Sequence, residues 1–457
     1  MGPLAGRPTL GQRTFDIVPA GYIVQEFFVS GSARAYKWTG GSDGLAGTAG
    51  SAPYVTRIVV VRPDSTAKFN GAVVVEWLNV SAGTDGAPDW TYLHRELVRK
   101  GYAYVAVSAQ KVGIDGGSIS IPGLPPLKKA DPARYDALNH PGDAYAYDIF
   151  SQVGQTIRGG KVLGPLVPAR MLATGESQSA AFLTTYVNMI DPVSAIFDGY
   201  LIHSRFGGAA PLDGDFLSSM ATRTDARLTA VPIRKDVRAP VLMFITETDL
   251  MMPGYGYLAA RQPDSAHIRT WEVAGTAHAD SYTLAAGTVD TGNAPVERLA
   301  QAYAPVDAIL GMKLSQPMNS APQHHYVMQA ALDALETWVR TGKAPPAGPR
   351  LHVDSSVAPA LVLDANGNAA GGIRSPWVDV PTAVLSGLGQ DGPGLTRLFG
   401  STRPFDQPTL AGLYPGGVKE YRAKFAAALH SAIGKGFILP EDEEEIMGLA
   451  VAMYPHK

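Results

Sequence analysis

The regular part of the chain opens with two valine-rich runs. In RIVVVRP (57–63) and GAVVVEWLNV (71–80) apolar residues follow one another without alternation, the pattern of strands buried on both faces. DWTYLHRELVRKG (89–101) changes period: Tyr92, Leu93, Leu97 and Val98 fall at helical spacing, with Asp89 as N-cap and Gly101 as stop. YAYVAVSA (102–109) predicts another buried strand. A loop rich in Gly and Pro covers about 110–142, and DAYAYDIFSQVGQTIR (143–158) reads as a helix. The strand ARMLATG (169–175) runs straight into the helix ESQSAAFLTTYVNMI (176–190) with no turn residue between them. FDGYLIHS (197–204), APVLMFITETD (239–249) and HIRTWEVAG (267–275) read as strands, and HHYVMQAALDALETWVRTGK (324–343) as a long helix. Repeated strand–helix–strand order predicts an α/β protein with a mostly parallel central sheet and crossover helices on both of its faces.

The flanks are less regular. The first 55 residues are rich in Gly, Ser, Thr and Ala, and GGSDGLAGTAGSAP (40–53) predicts a flexible loop. Beyond 350, HVDSSV and ALVLDANGN look strand-like, with a turn at Asp364–Gly367, and helices are expected near 418–434 and 441–453. The acidic run PEDEEEIM (440–447) suits a helix N-terminus. The expected organisation is an N-terminal extension (1–55) packed on a core (56–345), and a C-terminal extension (346–457) integrated into the same unit. Insertions at about 110–142, 205–237 and 279–323 would form a cap. Tyr135, Phe206, Phe216, Met220, Tyr282 and Tyr303 lie in them and would suit an apolar acyl or alcohol group, or simply anchor long loops.

Composition narrows the function. Of 457 residues, 46% are hydrophobic and 17% charged, which suits a globular chain. A net charge of -3 excludes a strongly basic nucleic-acid footprint. With no cysteine there is no disulfide, thiolate metal site or cysteine nucleophile. No run approaches the ~18 apolar residues of a membrane span. The N-terminal MGPLAGRPTLGQRTF has no signal-peptide core, so a soluble, cytoplasmic rather than exported, protein is expected. No H-E-x-x-H, Walker-type or dinucleotide glycine motif is present, and no clustered Asp/His ligand set is visible, so no metal or cofactor is expected. The adjacent His324 and His325 would face different sides of their helix; His203, at a strand end, reads as a packed polar residue or one facing the site, and His140 as part of a turn.

Gly175, Ser177 and Ser179 form G-x-S-x-S, one small-residue exchange from the G-x-S-x-G nucleophile elbow. A serine held at a sharp strand-to-helix turn needs small neighbours two residues away on either side. The helix that follows aims free N–H groups at an oxyanion, and the N–H of Gln178 is the expected first donor. A second donor would come from the loop after VVVEWLNV, from the N–H of Asn79 or Val80; the Asn79 side chain could instead fix the loop. The next strand end supplies two acids: Asp249 has the favoured spacing and Glu247 is the alternative, and the one outside the triad would have a structural use such as a helix cap. His278 follows the strand after that. The order Ser177, Asp249, His278 is one of three known for serine hydrolases.

With these elements in place the chain resembles the α/β-hydrolases, and within them a bacterial group of α/β-hydrolase domain proteins. The resemblance rests on VVVEWLNVSAGTD (73–85), RYDALNHPGDAYAYDIFSQV (134–153), ATGESQSA (173–180), TETDL (246–250), RTWEVAGTAHAD (269–280), YVMQAALDALETWV (326–339) and GGIRSPWVDVPTA (371–383). It implies an α/β-hydrolase fold and a serine esterase-type site at Ser177, with His278 and an acid in TETD. A small-molecule ester is the expected substrate. The alternatives are a lactonase, acyltransferase or peptidase on the same site, a non-catalytic binding protein on a hydrolase scaffold, or a structural surface protein.

Overall fold

The computed structural model describes residues 2–6, 8, 18–40, 46–117, 121, 123–214, 216, 229–309, 311–392 and 394–455. The chain divides into two compact units. One comprises Met1–Leu242, Ala259–Ile268 and Leu335–Ala344; the other comprises Met243–Leu258, Arg269–Ala334 and Pro345–Lys457.

In the first unit β1 (Tyr22–Trp38) and β2 (Ala46–Pro63) form a long antiparallel hairpin with a register shift between Ala35 and Tyr36. β2 pairs antiparallel with β4 (Ala103–Val107), which pairs parallel with β3 (Ala72–Trp77). β5 (Arg170–Glu176) lies parallel to β3 and to β6 (Gly199–His203). The Tyr200 N–H reaches Pro240 O at 2.9 Å and the Val241 N–H reaches His267 O at 2.8 Å, where β7 (Val241–Thr246) and β8 (Ile268–Val273) begin. The sheet order is β1-β2-β4-β3-β5-β6-β7-β8, mostly parallel as the alternation of elements predicts. β3 is buried at every position, which is why its sequence does not alternate.

The start of the chain departs from expectation. Residues 46–53 are strand rather than flexible loop, paired with residues 32–38 across the register shift. Ladder hydrogen bonds hold a Gly/Ala/Ser/Thr stretch that has little β-propensity of its own. The N-cap assignment of Asp89 also fails. Helix α1 (Pro88–Arg99) follows Ala87, which offers no side-chain cap. Its free N–H groups are taken instead by a carboxylate from β3: Glu76 accepts from Asp89 N at 3.1 Å and Trp90 N at 2.9 Å. Burial pushes the Glu76 carboxyl well above the usual range, and the Tyr104 hydroxyl donates to it at 2.5 Å.

Two further devices shape this unit near β3. Trp77 packs its indole against Phe150, Phe182 and Tyr147, with ring centroids 4.8, 5.1 and 5.8 Å away. Phe150 and Tyr147 come from helix α2 (Ala146–Arg158). The buried Arg57 of β2 pairs with Asp85 at 2.9 Å, on the loop after β3, and with Glu26 of β1 at 3.4 Å. Burial raises the Asp85 pKa against the pull of Arg57. Arg134 and the Tyr135 hydroxyl close on Glu26 from the 110–142 segment.

The second unit stitches the C-terminal quarter of the chain onto residues 269–334. Ile373 bridges to Val273 in parallel, the Trp271 indole donates to Pro346 O at 3.0 Å, and Leu351 N donates to the Glu272 carboxylate at 2.8 Å. The strand-like tail pieces form only isolated bridges, such as Val353 with Leu361, but the turn at Asp364 is present, closed by Gly367 N on Asp364 O at 3.0 Å. Ala383–Ser386 and Ser401–Pro404 make a separate antiparallel pair. Helices Gly417–Gly434 and Glu443–Ala452 fall where periodicity places them. Among the described residues no helix is long and apolar enough to cross a membrane.

Arg57→Ala leaves the buried Asp85 carboxylate without its guanidinium, while Glu26 keeps Arg134. Unfolding in urea should show a loss of about 3–5 kcal/mol, partly recovered by adding Asp85→Asn. A loss below about 1 kcal/mol would contradict the burial of this charge.

Candidate active site

β5 and helix α3 (Gln178–Thr185) join at Ser177 without an intervening turn residue. The junction is possible because Ser177 adopts φ 59° and ψ −116°, a conformation that costs a non-glycine residue about 1–3 kcal/mol. Its N–H donates to His203 O at 3.0 Å and its carbonyl accepts from Ala181 N at 3.2 Å. From Met171 to Val187 every residue but Ser177 is buried. The small neighbours are needed for the reason the motif suggests. A β-carbon on Gly175 would sit 3.0 Å from the Ser179 Cβ and 3.1 Å from Leu183 Cδ1. The buried Ser179 Oγ has no hydrogen-bond partner among the described residues, so its smallness counts and its hydroxyl does not.

Beneath the junction lies a buried polar set. Asp89 accepts from Thr174 Oγ1 at 2.6 Å through one oxygen and meets His203 Nδ1 at 2.7 Å with the other. His203 is thus the packed polar residue expected of it. His140 is also buried, with Nε2 2.8 Å from Ala109 O, and burial lowers its pKa.

The loop after β3 is tied directly to this junction. The Asn79 amide donates to both the carbonyl and the carboxylate of Glu176, at 3.1 Å each. Its backbone N–H is held by Gly86 O at 2.9 Å, so the expectation that Asn79 supplies the second oxyanion N–H is wrong. Asn79 fixes the loop instead, and its Oδ1 also accepts from Ser81 N at 2.8 Å. Val80 N is differently placed: its acceptor is the side-chain oxygen of Gln178, at 3.4 Å. Gln178 stands at the first position of α3, where a backbone N–H has no intrahelical acceptor.

In the second unit β7 turns at once into the short helix α4 (Glu247–Met251), where strand and loop were expected. Thr246 caps it, accepting from Asp249 N at 3.2 Å, while Asp249 Oδ2 accepts from Thr246 N at 2.8 Å. The other oxygen, Oδ1, lies 2.6 Å from His278 Nδ1. Burial opposes the Asp249 charge, but His278 and Thr246 hold its pKa below the usual carboxylate range. The His278 N–H donates to Thr248 Oγ1 at 3.1 Å, and Thr248 Oγ1 donates to Gly387 O at 2.5 Å.

Glu247 has a different set of partners. It accepts from Gly275 N at 2.6 Å, Gly387 N at 2.8 Å and Ser386 Oγ at 3.2 Å. Burial pushes its pKa up to about 7 despite these donors. Of the two acids, the structure brings Asp249 and not Glu247 to the imidazole.

Three groups had no sequence signal. Asn319 donates to Gly275 O at 3.0 Å and Ser386 O at 2.9 Å. Asp280 meets His324 Nδ1 at 3.0 Å, and that imidazole stacks on Phe244 at 5.0 Å. Asp290, His325 and Glu445 gather with ligand-type atoms within 4.8 Å of one another, although no such set was expected. Each already meets a tyrosine hydroxyl, from Tyr282, Tyr303 and Tyr326 respectively. The aromatics of the insertions are largely anchors: Tyr135 bonds Glu26, Phe216 packs on Phe182 and Tyr282 stacks on His325. Met220 lies outside the described residues.

The family described as alpha/beta hydrolase domain matches residues 2–448, and the chain belongs to it. No curated protein matches the sequence. Among solved structures the chain is similar to fungal esterases from Rhizomucor miehei (11% identity, 71% of this chain and 88% of that chain, TM-score 0.30). It is also similar to a thermostable esterase from Pseudomonas putida ECU1011 (14%, 50% and 65%, 0.27) and to the siderophore hydrolase EstA from Aspergillus nidulans (16%, 52% and 72%, 0.26). The chain spans 64% of the length of esterase Est22, to which it is 11% identical with a TM-score of 0.28.

Two outcomes follow from the buried groups. A folded pKa near 7 exceeds the unfolded value, so Glu247 keeps its proton in the folded chain where the unfolded chain has lost it. Its contribution to stability therefore falls as pH rises from about 4.5 to about 7, by on the order of 3 kcal/mol. The difference in unfolding free energy between wild type and Glu247→Gln, measured across that range, should shift toward the variant with rising pH; a flat difference would refute the raised pKa. Ser179→Ala removes a buried unpaired hydroxyl and should keep or raise the melting temperature, with a gain of about 1 kcal/mol at most.

Proposed function

We propose that this α/β-hydrolase cleaves carboxylic esters, with Ser177 as nucleophile, His278 as general base and Asp249 as the carboxylate that orients the imidazole. The observation that carries the reading is the strained φ of Ser177, at a partly exposed serine between a buried strand and a helix N-terminus. Strain of this kind persists where the surrounding packing enforces it, and it clusters at sites of chemistry.

In the proposed cycle Ser177 Oγ attacks the ester carbonyl carbon and its proton passes to His278 Nε2. With Nδ1–H directed at Asp249, the ring presents its other nitrogen as the base, and the ionised carboxylate stabilises the imidazolium that forms. The Gln178 and Val80 backbone N–H groups bind the oxyanion, each contributing about 3–4 kcal/mol. Collapse of the tetrahedral intermediate expels the alcohol, which takes the proton from His278, and leaves an acyl-serine. Water, deprotonated by His278, then releases the acid and restores the serine.

A fluorophosphonate probe should label Ser177, and p-nitrophenyl acetate should be hydrolysed. Ser177→Ala should abolish both. Asp249→Asn should lower kcat by about 10⁴, because the imidazole loses its required tautomer, whereas Glu247→Gln should change it far less. The rate should fall in acid as His278 becomes protonated. Folded protein that neither labels nor turns over the ester would end the serine-hydrolase reading, and equal losses in the two acid variants would end the assignment of Asp249.

A further inference from the structure

Every backbone N–H of the Asn79–Val80–Ser81 loop has an acceptor, but the acceptors are not equivalent. Asn79 N is held by the backbone carbonyl of Gly86 and Ser81 N by the Asn79 side chain, at 2.9 and 2.8 Å. Val80 N has only a long contact of 3.4 Å, and its acceptor is Gln178 Oε1, an atom of a side chain rather than of the backbone. Val80 is 1% and Gln178 4% exposed, so water does not share this contact as it would at a surface.

The carboxamide is held from its other end. Gln178 Nε2 donates to Gln110 Oε1 at 2.7 Å, and that oxygen also accepts from the Trp77 indole at 3.0 Å. Gln110 Nε2 donates in turn to Asp143 Oδ2 at 2.9 Å, and Asp143 Oδ1 accepts from Lys111 N at 2.7 Å. The fixed amide and indole dipoles settle which end of Gln178 is oxygen: Gln110 already accepts there, so nitrogen must face it and oxygen must face Val80.

We infer that the Gln178 side chain is a displaceable plug of the oxyanion site, its carbonyl oxygen occupying Val80 N–H until a substrate oxygen takes its place. The inference rests on the serine-hydrolase reading of Ser177. A neutral bond at 3.4 Å is weak, whereas an oxyanion accepts the same N–H at shorter range and about twice the strength. Displacement therefore opposes ground-state binding most and is offset as charge develops on the substrate oxygen. Gln178 contributes its backbone N–H to the reaction and its side chain to the resting state. The side chain is a positioning element, and removing it acts first on binding.

The test uses the full chain, with fluorophosphonate labelling, p-nitrophenyl acetate kinetics and inhibition by phenylboronic acid. In the boronate adduct Ser177 Oγ bonds to boron, its proton moves to His278, and no group leaves. Gln178→Met keeps length and replaces the carbonyl oxygen with a far weaker acceptor for Val80 N–H, and should lower KM and the phenylboronic acid Ki by about fivefold. Gln178→Glu holds the N–H with a charged oxygen and should raise both at neutral pH. A residue that only supports the fold would lower kcat in both variants and leave Ki unimproved, and an unimproved Ki in labelled, folded Gln178→Met overturns the plug. A crystal structure of the wild-type adduct needs no variant: it should show Gln178 Oε1 withdrawn and a boronate oxygen on Val80 N, and Gln178 Oε1 still in place overturns the plug. Failure of wild type to label at Ser177 ends the hydrolase reading and the plug with it, whereas normal labelling with an unchanged Ki ends the plug alone.

Discussion

The positive φ of Ser177 is the constraint on which the arrangement of the first unit turns. A non-glycine residue stays in that conformation only if its surroundings leave no easier alternative. Here the backbone on both sides is fixed, by His203 O on one and by the first turn of α3 on the other. Gly175 and Ser179 let strand and helix close to within van der Waals contact of each other. The cost is local, and what balances it is the burial of β5, β3 and the aromatic cluster around Trp77. The same contacts place Asn79 against Glu176, so the loop after β3 takes its position from the residue beside the strained one.

The second unit shows how two carboxylates two residues apart are given different tasks. Asp249 and Glu247 are both fully buried, and burial alone would raise both pKa values. Asp249 meets an imidazole and a capping N–H, and stays ionised. Glu247 meets neutral donors that offset desolvation only in part, and holds its proton to about pH 7. A short helix forces the division: at its third position Asp249 caps the backbone and reaches outward, while Glu247, at the first, points to the ends of neighbouring segments.

Much of this was legible in the chain. Unalternating valine runs marked the buried strands, and the absence of any turn residue between ATG and ESQ marked the strand-to-helix junction, because both are local consequences of packing. The order of serine, acid and histidine carried the candidate site. What escaped reading was non-local. Nothing in AGTAGSAP states that it lies beside residues 32–38, since its strand character comes from the ladder rather than from its side chains. Asp89 looked like a cap because its position suits one, yet Glu76, thirteen residues earlier, takes that place from the adjacent strand. Asn79 was a candidate donor until its backbone partner, Gly86, was known. In each case a residue's part is set by a group that sequence distance hides.

The bond from Gly387 N to Glu247 also bears on how the chain comes into being. Translation proceeds from the N-terminus, so the segment that steadies Glu247 and Thr248 is made 140 residues after the acid it serves. A nascent polypeptide that has just emitted His278 therefore lacks the brace beneath that imidazole's loop. Until residue 387 has been made, Glu247 and Thr248 are without the Gly387 N–H and carbonyl that they bond in the folded chain.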